Sequence, residues 1–449
     1  MSLADMLARP GGNPVGLVSK NGQIRRAEIL QRATRWSGGG SGARLAVVVR
    51  DPSELLEVLI GLDGSAAAMA ILSPELPPSL IERLARDAGC EGVITDAPSI
   101  SAAVPLPAVA AAPATNEEPR ETSSEPTRWA LATSGTTGTP KLVSHSLETL
   151  TRTTKLDLAS GADLSWGLLY DPTRFAGMQV ALQALLGGSR LVLPDPADPL
   201  AEQLALLDAE GVTHLSGTPS LWRKILMTPS TSLGSLQQVT LGGEIADQYI
   251  LDALRSRFPG ARLTHIFAST EAGVGFAVGD GRAGFPEAYL RDCPGGAELR
   301  LQEGHLLIRN AEVVAAYLGD RGVLADEEGW VDTGDLVRLD GGRVLFLGRA
   351  DGVINVGGSK VMPELVEQCL LAHPAVAEAH VYPKANSLTG SLVAADIVLA
   401  QGNSDPAGAR REIMRHAREH LEKHEAPALV KLVPSIGLSS SGKVDRTEH

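Results

Sequence analysis

At 449 residues the chain is longer than one hydrophobic core ordinarily serves, because single cores stop growing near about 250 residues, so more than one domain is expected. Apolar residues make up 43% and aromatics only 4%, and a formal net charge of -13 comes with no sustained Lys/Arg tract. That balance argues against nucleic acid or an anionic membrane as the main partner, while leaving room for small anions in a locally positive pocket. Cys90, Cys293 and Cys369 are few, odd in number and far apart, which fits neither a disulfide framework nor a metal cluster. The opening Met1-Ser-Leu-Ala-Asp5 lacks a basic-then-apolar signal pattern, and no apolar run reaches membrane-spanning length. A cytoplasmic, soluble monomer or homodimer is the expectation.

Ser37–Gly42, with four glycines in six residues, reads as a turn. Ala43–Val49 then reads as a buried strand, Ser53–Leu62 as a helix, Ala66–Leu72 as a strand, Pro78–Ala88 as a helix and Gly92–Thr95 as a strand. Such alternation predicts a parallel sheet covered on both faces. Ser101–Arg128 is rich in Ala, Pro, Ser, Thr and Glu without periodicity and reads as a surface linker. A short strand, Trp129–Ala132, leads into Thr133-Ser-Gly-Thr-Thr-Gly-Thr-Pro-Lys141. The alternation resumes with strands at Ser165–Tyr170, Ser189–Leu193, Thr213–Ser216, Leu236–Leu241 and Leu263–Phe267, and helices at Phe175–Leu186 and Pro199–Glu210. A second boundary falls near Arg349–Gly352. It divides a large α/β domain, 1–350, from a small α+β domain, 351–449, with a helix over Pro363–Leu371, strands at Ala377–Val381 and Leu392–Leu399, and a long amphipathic helix from Pro406 to His424.

Chemistry concentrates in a few stretches. Between Thr133 and Thr139, five hydroxyl side chains and two glycines make a compact turn whose N–H and O–H groups suit several phosphate oxygens, with Lys141 adding charge. The stretch is not the GxxxxGK[ST] of the common P-loop, and Gly/Ser/Thr clusters are also ordinary loops. Leu241-Gly-Gly-Glu244 and Ile266-Phe-Ala-Ser-Thr-Glu271 close two predicted parallel strands, where open α/β sheets place ligands. Glycine there permits close approach, Phe267 offers a ring, and Glu271 offers a carboxylate for a divalent cation. A Gly-Gly-Glu also fits a helix-start turn. Asp335 in Asp332-Thr-Gly-Asp335 can accept two hydrogen bonds from a ribose diol, or mark an Asp-Gly turn. Arg349 and Asp351 fit a surface ion pair or a hinge, and Lys443 alone would be an ordinary exposed lysine.

In combination these stretches resemble the AMP-forming adenylating enzymes: acyl- and aryl-CoA synthetases, peptide-synthetase adenylation domains and luciferases, most closely in type a short acyl/aryl-CoA synthetase. The resemblance spans nearly the whole chain. It implies that a small carboxylic acid attacks the α-phosphate of ATP·Mg²⁺ to give an acyl-adenylate, followed by transfer to CoA or a carrier protein's phosphopantetheine. The alternative is an enzyme loading an acid or amino acid onto a separate carrier protein without free CoA. By resemblance, Thr133, Ser134, Gly135, Thr136, Thr137, Gly138, Thr139 and Lys141 match the pyrophosphate loop. Thr270 matches a phosphate contact, and Glu271 the Mg²⁺ ligand. Gly242, Gly243 and Glu244 flank adenine and acyl group, with Phe267 against adenine; Asp335 and Arg349 match the ribose contacts. Lys443 matches the lysine of the first half-reaction, Asp351 the hinge, and Gly357 and Gly358 the pantetheine tunnel.

Departures from the family pattern bear on the acid. The region before the phosphate-like loop is short, and Gly279–Gly296 looks trimmed. Ala268 stands where glycine is common. Thr173 and Arg174 replace an aromatic–His pair ahead of Gly177. Arg174 is a candidate for a second acidic group on the substrate, or a partner for Asp171; Asp171 is in turn a poorer match for a residue that receives an ammonium.

Overall fold

The computed structural model describes residues 1–37, 40–111, 125–133, 140–228, 232–310, 317–319, 324–402, 405–439 and 442–444. Four sheets organise them. The first has the order Gly92–Thr95, Arg44–Val48, Ala68–Ile71, Arg128–Ala132, all parallel, closed by antiparallel Leu142–His145. Its strands bury both faces, which is why they read as unbroken apolar runs. The connecting helix Pro52–Leu62 is buried nearly all round and begins with an Asp51 cap whose carboxylate accepts from Ser53 and Glu54 N–H.

The second sheet carries eight strands. Its parallel centre runs Arg262–Ser269, Gln238–Gly242, His214–Gly217, Ser165–Leu168, Arg190–Val192, Val15–Ser19, with antiparallel Gly273–Val278 and Gly22–Arg25 at the edges. Helix Phe175–Leu186, buried through Met178, Ala181 and Leu185, lies in the core shared with the first sheet. The two parallel sheets and their helices follow the α/β expectation.

A third sheet is antiparallel throughout and was not legible as strands: Phe285–Pro286, Arg343–Arg349, Val331–Asp340, His305–Arg309, Glu298–Gln302. Two of its hairpins turn on residue pairs with positive φ, Glu303-Gly304 (53° and 82°) and Gly341-Gly342 (54° and 79°), the twist that tight hairpins require. Asp332–Asp335 therefore lies within a strand and not in a turn.

The fourth sheet, built from Ile354–Val356, Ser359–Val361, Gly390–Leu399, Val376–Asn386 and Leu429–Leu432, packs helices Pro363–Leu371 and Pro406–His420 around its own core of Ile354, Val366, Leu370, Val381, Ile397 and Ile413. The last helix stops four residues short of the expected end, at His420. Among the described residues no helix is long and apolar enough to cross a membrane.

Candidate active site

The C-terminal ends of the parallel strands, the third sheet and the fourth sheet enclose one continuous cleft of about 1620 Å³. It is lined by Thr133, Lys141, Gly243, Glu244, Phe267, Thr270, Glu271, Asp335, Arg349 and Lys443, side chains drawn from more than three hundred positions of sequence. Ser134–Thr139 lie outside the described residues. The base of their loop is visible: Thr133 N–H donates to Lys141 C=O at 2.8 Å, and Lys141 N–H donates to Thr133 Oγ1 at 3.3 Å.

Lys443 enters on a small hairpin in which Ser439 N–H donates to Lys443 C=O at 2.8 Å and Leu438 bridges Val444. Three contacts seat the hairpin on the large body. Thr218 Oγ1 donates to Gly442 C=O; Glu244 Oε1 accepts from Val444 N–H at 3.2 Å; Lys224 Nζ donates to Ile436 C=O at 2.5 Å. Glu244 Oε2 accepts from Ser220 N–H at 3.0 Å, in the first turn of helix Pro219–Met227, where backbone donors are free and a carboxylate is favoured. Gly243, at φ +82°, faces the lysine: a Cβ there would stand 3.3 Å from Lys443 Cε. Burial drives the Lys443 ammonium below the ordinary lysine value, with Glu244, Glu271 and Asp335 pulling it back up.

Asp335 is pushed up to about 6, chiefly by burial, and is restrained by Arg349 and by Thr333. The Arg349 guanidinium donates to Thr333 C=O at 2.8 Å and stands 3.9 Å from Asp335 Oδ1 and 3.4 Å from Asp351 Oδ1. It thereby ties the Asp335 carboxylate to the turn Ala350–Gly352 that enters the fourth sheet. Glu271 Oε1 accepts from Tyr317 Oη at 3.3 Å, and Lys141 Nζ sits 4.4 Å above the Tyr317 ring. Tyr317, whose hydroxyl is held up near 12 by burial and by Glu271, thus joins the loop base to the acidic motif. It was missed because a lone tyrosine far from either partner carries no spacing signal. Thr218 and Ser220 were missed too, although Thr-Pro before a helix is a legible N-cap.

Phe267 stacks almost parallel on Phe276 (5.1 Å, 10°) and on Phe346 (5.5 Å, 12°), forming an aromatic wall of the cleft. Ala268 sits at the bulge between Phe267 and the next residue pair. Gly242 C=O accepts from Tyr170 Oη at 3.2 Å. Gly177 has no room for a side chain, since a Cβ would come within 2.2 Å of Asp171 C=O. Arg174 turns inward, donating to Thr133 C=O at 3.1 Å and Ala132 C=O at 3.4 Å, with Nε 3.9 Å from Asp171 Oδ2. It props the loop base. Asp171 is occupied by Thr173, whose N–H and Oγ1 donate at 2.8 and 2.6 Å. Gly357 and Gly358, at φ +60° and +94°, form a two-residue hairpin turn and do not line the cleft.

Among the described residues no cluster of three or more His, Cys, Asp or Glu side chains suits a metal. One carboxylate, Glu271, joined through Tyr317 to Lys141 suits instead a hard cation that arrives on phosphate oxygens and keeps most of its own waters.

The family model described as AMP-binding enzyme matches residues 26–318, and the AMP-binding enzyme C-terminal domain matches 365–443. The chain belongs to this family, the AMP-forming adenylating enzyme superfamily. Among relatives, a 2-succinylbenzoate–CoA ligase of Bacillus cereus is 27% identical over 91% of this chain and 88% of its own. A probable non-canonical nonribosomal peptide synthetase of Salinispora arenicola is 28% identical over 94% of this chain, and tyrocidine synthase 3 of Brevibacillus parabrevis 27% over 94%. The chain spans only 6% and 7% of the length of those two synthetases. In fold, an anthranilate CoA ligase in complex with anthranoyl-AMP superposes with a TM-score of 0.82 at 19% identity, covering 99% of this chain and 95% of that one.

Proposed function

We propose that the protein activates a carboxylic acid with ATP to an acyl-adenylate, releasing pyrophosphate, and passes the acyl group to the thiol of CoA or phosphopantetheine. The observation that carries this reading is the seating of Lys443 against Gly243, between Glu244, Glu271 and Asp335, in the cleft. In the first step a carboxylate oxygen bonds to the α-phosphorus while the bond to the pyrophosphate oxygen breaks; no proton moves. Such a step needs alignment and charge neutralisation, not a covalent nucleophile. Lys443 would meet the charge on the reacting carboxylate and α-phosphate, Lys141 and the hydroxyl loop the departing pyrophosphate, Asp335 the ribose diol. A bound Mg²⁺ would neutralise phosphate oxygens, with Glu271 its protein ligand and Thr270 beside it.

In the second step a thiol sulfur bonds to the acyl carbon, the carbon–oxygen bond to AMP breaks, and the thiol proton leaves to solvent. Residues 351–449 would rotate about Asp351 to withdraw Lys443 and bring the Gly357–Gly358 turn to the adenylate, with 1–350 as the fixed body. Similarity over nearly the full length of a CoA ligase supports CoA as acceptor. Similarity to peptide synthetases supports the second reading, a separate carrier protein.

The test is acid-dependent pyrophosphate exchange with Mg·ATP across aliphatic, aromatic, dicarboxylic and amino acids, followed by mass detection of acyl-CoA. Lys443→Ala is expected to lower adenylate formation by about 10²- to 10³-fold. No exchange with any acid, in protein shown to bind ATP, would overturn the proposal.

A further inference from the structure

The parallel-strand register of the second sheet sets three rows of side chains on the face that lines the cleft. Nearest Lys443 is the row Gly242–Ile266. Next comes Leu168–Ser216–Thr240–Thr264, and then Trp166–His214–Gln238–Arg262. The opposite face carries Leu215, Val239, Leu241 and Leu263 in a dry core. A parallel sheet packed on both sides ordinarily shows apolar residues on both, so hydroxyl, amide, imidazole and guanidinium groups on one face need an explanation.

Two features give it. Ser216 is only 6% exposed, yet among the described residues its hydroxyl has no hydrogen-bond partner, and it lines the cleft. At the far row, Arg262 uses Nε on Gln238 Oε1 at 2.5 Å, while its two terminal nitrogens make no hydrogen bond or ion pair among the described residues. Lys155, also on the wall of this end, has no ion pair among them either. Burial and these two cations depress the His214 imidazole to about 4, and no carboxylate raises it. The far end of the chamber, where Arg262 and Lys155 are both exposed, therefore carries two cations, neither in an ion pair among the described residues, with Asp157 the carboxylate on the same wall.

We propose that the acid accepted here carries a second anionic group, a carboxylate or an equivalent, which Arg262 and Lys155 receive. Four residues of strand separate the Gly242 and Gln238 rows, about 13 Å, which sets the distance from the reacting carboxyl to the distal anion. Arg174 cannot take this part because loop carbonyls and Asp171 occupy it. The inference rests on the acid-activating reading above and deepens it.

The test compares α,ω-dicarboxylic acids of about eight to twelve carbons, matched to that strand length at roughly 1.3 Å per methylene, with their half methyl esters, in pyrophosphate exchange. Each pair has the same length and one fewer distal charge. The wild-type kcat/KM is expected to favour the free diacid about five- to tenfold at low salt, and Arg262→Gln and Lys155→Gln each to shrink that ratio towards one. Equal use of diacid and half ester, or a ratio that survives both substitutions, would overturn this inference while leaving acid activation intact. Silence with every acid would overturn the activation reading and this one with it.

Discussion

Glu244 Oε1 accepts a hydrogen bond from the backbone N–H of Val444, the residue that follows Lys443, while Oε2 accepts one from Ser220. One carboxylate thus bridges a helix start on the large body and the hairpin that carries the lysine. Glu244→Ala is expected to slow adenylate formation about ten- to hundredfold, the cost of a charged hydrogen bond, while thioester formation from supplied adenylate stays near wild type. Single-turnover measurements of each half-reaction check this. Because Glu244 is also the largest influence holding the ammonium up against burial, Glu244→Gln should move the alkaline fall of the first half-reaction to lower pH. Equal loss of both half-reactions would contradict the positioning role.

The Asp335 carboxyl, lifted to about 6 mainly by burial, predicts weaker ATP binding below that pH as it protonates. The same shift costs stability. The folded state holds this proton more tightly than the unfolded chain, so stability falls as pH rises from about 4 to about 6 and the loss is complete above, on the order of 3 kcal/mol. Asp335→Asn should therefore raise KM for ATP at least about tenfold while melting no lower than wild type at pH 8. The difference in melting temperature should vanish near pH 4, and thermal scans across pH check it.

Gly358 sits at φ +94° in the hairpin turn, so any side chain carries backbone strain on the order of 1 kcal/mol, separate from its bulk. Comparing Gly358→Ala with Gly358→Trp separates the two effects. Both should melt slightly lower, and both should form adenylate. Only the tryptophan is expected to block thioester formation, as read by acyl-thioester mass detection. Parallel behaviour of the two variants would speak for strain alone.

Arg174 holds the carbonyls of Ala132 and Thr133 and faces Asp171. Arg174→Ala leaves that buried carboxylate without its cation, and is expected to destabilise the fold by about 3 kcal/mol and to raise KM for ATP. The preference between diacid and half ester should stay as in wild type. A selectivity change at this position would return Arg174 to the acid site.

How much the sequence alone determined follows from what is local. Strands such as Gly92–Thr95 and helices such as Phe175–Leu186 and Pro363–Leu371 were legible to the residue, because buried apolar runs bounded by Gly and Pro leave few alternatives. Thr133, Lys141, Glu271, Asp335 and Lys443 stood out by residue type and order, and the fold brings all five to one cleft. The antiparallel third sheet was not legible, since its half-exposed strands show weak alternation and two of its turns rest on positive-φ pairs. Tertiary structure alone decided the rest. It spent Arg174 on loop carbonyls, made Glu244 the clamp of the lysine hairpin, brought Tyr317 between Lys141 and Glu271, and left Arg262 facing the chamber. Each of those outcomes depends on which backbone group lies within about 3 Å of a side chain, and register between distant strands sets that distance.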